Sequence, residues 1–188
     1  DDDAGRRGSA QAAGVRVGHP PQAHWSAMDA LGISPRIPHT FPQPHPVASR
    51  ARAERKPIIG DIELLARAVA RRQPGPRFVG VSGTNGKSTT TALIGHVLSQ
   101  GGARVEVGGN LGMPALDFAM LDADGVYVLE MSSYQLELVD RLRFDVAVLL
   151  NITPDHLDRH GGMAGYVAAK RRLFNNQGAG DCAVIGID

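Results

Sequence analysis

The chain has 188 residues, enough to bury one hydrophobic core and part of a second, and its 20 lysines and arginines against 19 aspartates and glutamates leave a net charge of +1. That balance gives no reason to expect non-specific binding to nucleic acid or to a membrane surface. The single cysteine, Cys182, excludes an internal disulfide; with no signal peptide and no apolar run long enough to span a bilayer, a cytoplasmic location is expected.

Ten of the twelve prolines lie within the first 76 residues, and this front part lacks the apolar runs seen later, so it reads as partial or loosely ordered. Its start, Asp1-Asp2-Asp3, has no initiator methionine and suggests a piece of something longer. Five prolines between Pro35 and Pro46 withhold backbone donors from a sheet and favour an extended, connecting path. His19, His24, His39 and His45 show no ligand-pair spacing and read as solvated loop residues. From Asp61 a helix is expected: Asp61 caps it, Glu63 suits its first turn, Ile62, Leu65, Ala66 and Val69 form a stripe, and Arg71 and Arg72 suit its last turn. Gln73-Pro74-Gly75-Pro76 breaks it, and a domain boundary is placed there, dividing 1–76 from 77–188.

Beyond the break, Arg77 to Ser82 is rich in strand formers, while Leu93, Ile94, Val97 and Leu98 recur at the spacing of one helical face. Between them stand Gly83, Thr84, Asn85, Gly86, Lys87, Ser88 and Thr89. Strand, glycine turn, helix is the context of a phosphate-binding loop, or P-loop. The unpaired N–H groups and positive dipole end of the helix face the phosphates, Lys87 adds a charge, and Ser88 or Thr89 offers an oxygen to Mg2+. The common pattern would place glycine where this chain has Val81, so the loop is a variant one; the bland alternative is a tight turn with a surface lysine.

Gly101-Gly102 ends that helix, and Ala103 to Val107 reads as the next strand, followed by Gly108-Gly109-Asn110. Pro114 opens a helix expected to run through Leu121. Gly125 to Glu130 and Asp145 to Leu150 are strands, Met163 to Phe174 a helix, and Cys182 to Ile185 a last strand. This alternation predicts an α/β fold: a mostly parallel, doubly wound sheet preceded by the proline-rich segment.

Ligands gather at the carboxyl ends of such strands, where four polar groups would converge: the loop at Gly83, Asn110, Glu130 with Ser132 and Ser133, and Asp155 to His160. A strand-end carboxylate beside a phosphate loop suits Mg2+, which makes Glu130 the candidate ligand; the alternative is a glutamate facing solvent. His156 and His160 have the spacing of a zinc pair, but the lone cysteine and the neighbouring Asp155 and Asp158 favour a hard metal, a substrate or a plain polar loop. By pattern alone Lys170-Arg171-Arg172 is an exposed basic face.

The variant loop Gly83–Thr89 resembles the ATP loop of the Mur ligases and folylpolyglutamate synthetases. Gly108-Gly109-Asn110-Leu111-Gly112, Leu129 to Glu137, Asn151 to Arg159 and Ala168-Ala169-Lys170 resemble, in order and spacing, the D-glutamate-adding branch of the Mur ligases. Ser34-Pro35 and Pro57 to Leu64 resemble the end of that family's UDP-binding first domain and the link into its second, although Arg36 stands where the family usually has glycine near the UDP. The resemblance implies that 1–76 is a remnant of the first domain, that 77–188 is the central ATPase domain, and that the carboxyl-terminal ligase domain is absent. It places ATP on Gly83 to Thr89, one Mg2+ near Ser88 or Thr89 and Glu130, and a second near His156 and Lys170, with Lys170 carbamylated. Asn110 and Ser132 would lie near the sugar-peptide substrate. The reactants implied are ATP, UDP-N-acetylmuramoyl-L-alanine and D-glutamate, joined through an acyl phosphate by a monomeric enzyme of peptidoglycan synthesis, with Lys87, His156 and Lys170 in catalysis. Two alternatives stay open: an ATP-binding module without ligase activity, and a sister ligase of the folylpolyglutamate type, which the Ser132-Ser133-Tyr134-Gln135 segment disfavours.

Overall fold

The computed structural model describes residues 4–18, 24–72 and 74–187; Asp1-Asp2-Asp3, His19, Gln73 and Asp188 lie outside the described residues. The front part carries α1 (Ala4–Ala12), β1 (Leu31–Gly32), α2 (Pro46–Ala53), β2 (Ile58–Ile59) and α3 (Asp61–Val69). There follow β3 (Arg77–Ser82), α4 (Lys87–Gln100), β4 (Arg104–Gly109), β5 (Gly125–Glu130), α5 (Ser133–Leu136), β6 (Val146–Leu149), α6 (Leu157–His160), α7 (Met163–Arg171) and β7 (Cys182–Ile185). Five strands pair in the order β4-β5-β3-β6-β7, all parallel, and β1 pairs with β2 in a separate two-stranded parallel sheet. The expected mostly parallel α/β sheet is therefore present.

Alternation along the strands assigns each side chain to one of two cores. Val79, Val81, Val128 and Val148 face α4, where Ile94 and Leu98 pack on them. Phe78, Tyr127, Leu129, Ala147 and Leu149 face the other way, against α3, α5 and the segments 115–121 and 136–144. On that second face Phe78 stacks on Tyr127 with ring centroids 5.1 Å apart. Gly80 in the central strand is there for space: a Cβ would stand 2.7 Å from the Phe144 ring.

Several local expectations need correction. The helical stripe of α4 is not Leu93 and Val97, which are exposed; Thr91 and Gly95 are buried instead, and the missing side chain at Gly95 lets the helix approach Val107 of β4. Asp61 occupies the first position of α3 behind the N-cap Gly60, and Arg71 and Arg72 fall beyond the helix end. The helix expected from Pro114 to Leu121 is only a 3-10 turn, Ala115–Asp117. There Tyr127 intercepts the backbone: its hydroxyl accepts from Leu121 N at 2.9 Å and donates to Ala119 O at 2.8 Å. The path from Pro35 to Pro46 gives way to α2, with Pro46 in the first turn, where its missing N–H costs nothing, and His45 Nδ1 accepting from Val47 N.

α3 binds the front part to the main sheet. Ile62, Leu65, Ala66 and Val69 enter the same core as Phe78 and Tyr127, each large side chain contributing about 2 kcal/mol through burial. Glu63, fully buried, accepts from the backbone N–H groups of Asp140, Arg141 and Leu142 at 3.0 to 3.2 Å and from Arg67 Nε at 2.8 Å. One carboxylate thus serves three otherwise unpaired donors of the loop before β6. Replacing Glu63 by Ala strands those donors and is expected to cost about 3 kcal/mol or more in urea unfolding. A loss below about 1 kcal/mol would show that water substitutes for the carboxylate.

Candidate functional site

The loop between β3 and α4 stands over the carboxyl ends of β5, β3 and β6. Gly86, with φ of +81°, caps α4 in the left-handed conformation that side chains disfavour. Asn151, the second residue past β6, clasps the loop: its Oδ1 accepts from Thr84 N and Asn85 N at 3.1 and 2.9 Å, and its Nδ2 donates to Asn85 O at 3.2 Å. Thr84 Oγ1 donates to Thr153 O at 3.0 Å and accepts from Thr153 N at 2.9 Å, so the Tyr166 hydroxyl 3.1 Å away is the donor in its contact with Thr84. Lys87 Nζ donates to Thr84 O at 2.8 Å, and Ser88 and Thr89 are exposed in the first turn of α4.

Glu130 ends β5 only 2 % exposed, which removes the reading of a solvent-facing glutamate. Its Oε1 accepts from Asn110 Nδ2 at 2.9 Å, and its carbonyl accepts from Asn110 N at 2.9 Å, so these two predicted residues form one unit. Ser132 caps α5: its Oγ accepts from Gln135 N, and the Gln135 side chain accepts from Ser132 N, a reciprocal capping box.

Lys170 is not on an exposed basic face. It is 1 % exposed and donates to Gly83 O at 2.9 Å and Ser82 Oγ at 3.3 Å, with its ammonium 4.8 Å from the centre of the Tyr166 ring. Burial, and then the charge of Lys87, push its pKa down to about 8 against the opposing pull of Asp155. Arg172 of the same basic run is also occupied, donating to the carbonyls of Leu136 and Val139.

Lys87, Asn110, Ser132, His156 and Lys170 line one cleft of about 570 Å³, joined by Ser34, Pro35 and Arg36 from the front part. The two histidines of the H-x3-H spacing part company. His156, half exposed, adopts φ of +50° and lies 3.4 Å from Asp155 and against Tyr134. His160 points inward, its Nδ1 3.2 Å from Glu137 Oε1 and its Nε2 2.9 Å from Ser133 Oγ. Burial lowers the His160 pKa against the pull of Glu137. The neutral ring therefore donates a hydrogen bond from Nδ1–H to the carboxylate and accepts one from Ser133 at Nε2. Among the described residues no three His, Cys, Asp or Glu side chains form a metal-holding group. Nor is any helix among them long and apolar enough to cross a membrane.

Asn151, Tyr166, Arg159 and Glu137 organise this site without having been given a role from the sequence, although Asn151, Arg159 and Glu137 stand within the motifs named there. Asn151 had a further local signal, a polar residue just past a strand that borders the loop strand. His39, expected in solvent, is 5 % exposed, with its Nδ1 3.5 Å from Arg159 Nη2.

The site is thus part of a parallel α/β sheet protein with a glycine-lysine loop over its central strand, and with a buried carboxylate and a buried lysine near it. Residues 81–188 match the family Mur ligase middle domain, and the chain belongs to that family. It is similar to the UDP-N-acetylmuramoylalanine--D-glutamate ligase of Paramagnetospirillum magneticum (55 % identical over 188 residues, 100 % of this chain and 40 % of the relative). It is also similar to the ligases of that name from Caulobacter vibrioides (51 % over 184 residues, 97 % and 39 %) and Rhodospirillum rubrum (59 % over 164 residues, 87 % and 34 %). The chain thus spans 34 to 40 % of the length of these curated relatives.

Burial, with the charges of Arg159, Arg52 and Arg172 and the neighbouring His160, lowers the His39 pKa from 6.5 to about 4. The unfolded chain binds the extra proton between those values, so the stability His39 contributes is complete above pH 6.5 and is lost as pH falls towards 4. A thermal-midpoint profile of His39→Gln should be flatter than wild type across that window. Parallel profiles would remove His39 from the acid response.

Proposed function

We propose that this chain is the ATP-handling part of a ligase that adds D-glutamate to UDP-N-acetylmuramoyl-L-alanine in peptidoglycan synthesis, acting as a cytoplasmic monomer. The observation that carries this reading is that one cleft unites Lys87, Asn110, Ser132, His156 and Lys170 with the Ser34–Arg36 segment. The names of the most similar relatives support it. In this reading 1–76 belongs to a UDP-binding first domain and 77–188 to the ATPase domain, with α3 of the first part packed into the core of the second.

The alanine carboxylate attacks the γ-phosphorus of ATP, forming an acyl phosphate and releasing ADP; the D-glutamate amine then attacks the acyl carbon and releases phosphate. Both steps bring anions together, so the protein's task is positioning and charge neutralisation. The loop Gly83–Thr89 cradles the phosphates and Lys87 lays its charge on them. Asn110 and Ser132 orient the sugar-peptide, and Glu130 is held ready by Asn110. Two Mg2+ ions, held by Ser88 or Thr89 with Glu130 and by His156 with Lys170, would offset phosphate charge in the transition state. A single buried carboxylate held by Asn110 at the end of the strand beside the loop fits such an ion, which takes much of its shell from phosphates and water. Lys170 fits carbamylation, since its partners Ser82 and Gly83 are neutral and its amine is half unprotonated near pH 8.

The experiment that tests this reading separates it from a second, an Mg-ATP-binding module that does no ligation by itself. Heat of Mg-ATP binding without phosphate release in the presence of both other reactants selects the module; release selects the ligase. Lys87→Ala is expected to lower ATP turnover at least a hundredfold in the full chain, and turnover within threefold of wild type would take the loop out of the mechanism. Carbon-13 bicarbonate should give a carbamate resonance that Lys170→Ala removes; a spectrum without it at pH 8 would leave Lys170 an unmodified amine.

A further inference from the structure

We infer that Arg159 is a positioning residue that locks the amino-terminal lip of the cleft, residues 34–41, to the wall carrying Ser132 and His156, and so fixes the span that a substrate must bridge. This rests on the proposed reading of the cleft as the site of ATP and a nucleotide-linked sugar.

The lip is pinned at both ends. At one end β1 pairs with β2, and Ile33 N donates to Ile59 O at 3.0 Å. At the other end Arg159 Nη1 donates to Phe41 O at 3.1 Å, and the Phe41 ring lies against Gly161, about 3.5 Å from where a Cβ would stand. Between these pins Ser34, Pro35 and Arg36 face the cleft. Arg159 is 7 % exposed; its Nη2 forms an ion pair with Glu137 Oε2 at 3.3 Å and a hydrogen-bond contact with His39 Nδ1 at 3.5 Å, its Nε has no hydrogen-bond partner among the described residues, and its guanidinium lies 5.3 Å from the centre of the Tyr134 ring. Glu137 carries the tie onward through His160 to Ser133, the residue next to Ser132. The buried guanidinium thus holds lip and wall at once, which its planar fork allows and a lysine ammonium does not. Ser133, His160 and Glu137 stand in the order of a hydrolytic triad, but Ser133 is 3 % exposed and caught inside the wall, so the relay orders the wall.

Two measurements on the full chain test this. With both substrates varied, Arg159→Met should raise KM for the nucleotide-linked sugar at least tenfold while KM for ATP changes less than threefold. Arg159→Lys, which keeps the charge and loses the fork, should show the same split in milder form. Hydrogen exchange at the amide of His45, which donates to Pro38 O of the lip at 2.8 Å, should rise at least tenfold in both variants while that of α4 stays as in wild type. Equal changes in the two KM values, or unchanged exchange at His45, would overturn the inference. If Arg159→Met does not fold, Arg159→Lys decides alone. A wild-type chain that uses neither substrate overturns the reading of the cleft, and the exchange measurement then decides whether Arg159 holds the lip.

Discussion

The structure depends on the burial of β3. Five of its six residues are buried, it has parallel partners on both edges, and both of its faces are covered. A parallel strand so placed must bond its whole backbone to β5 and β6, which brings the ends of all three strands to one edge. The loop at Gly83, the carboxylate of Glu130 and the clasp of Asn151 meet there because their strands end there. Space is also set by β3: Gly80 admits the Phe144 ring, and no larger residue fits without moving it.

Buried charge joins the remaining parts. Glu63 ties α3 to the loop before β6, Lys170 ties α7 to the loop after β3, and the pair of Arg159 and Glu137 ties the segment at His39 and Phe41 to α5 and α6. Glu63 and Lys170 are hydrogen-bonded on more than one side, and Arg159 and Glu137 offset each other's charge as an ion pair, although Glu137 Oε2 and Arg159 Nε have no hydrogen-bond partner among the described residues; pairing of this kind is the condition under which a charge can be buried. These ties lie where segments far apart in sequence meet, and the apolar core alone would leave those meetings loosely specified.

The same ties shape the chemistry of the cleft. Lys170 is held by neutral partners beside Lys87, which lowers the cost of losing its proton. His160 is kept neutral by burial and oriented by Glu137 and Ser133. Lys87 remains at the mouth of the loop on a flexible stem, suited to follow a phosphate.

The sequence by itself determined the alternation of strands and helices from Arg77 onward, the loop at Gly83 and the strand-end positions of Asn110 and Glu130, because hydrophobic period and glycine spacing are local properties. It also fixed the buried stripe of α3. Only the tertiary structure decided the 3-10 turn at Ala115, which exists because a distant tyrosine hydroxyl takes the backbone partners. It likewise decided the burial of Lys170, where a basic triplet reads as surface until α7 is laid against the loop. The partnership of His39, Glu137 and Arg159 joins residues up to 120 positions apart. No local pattern marks such a group, because what holds it together is the cost of leaving a charge unpaired once the segments have met.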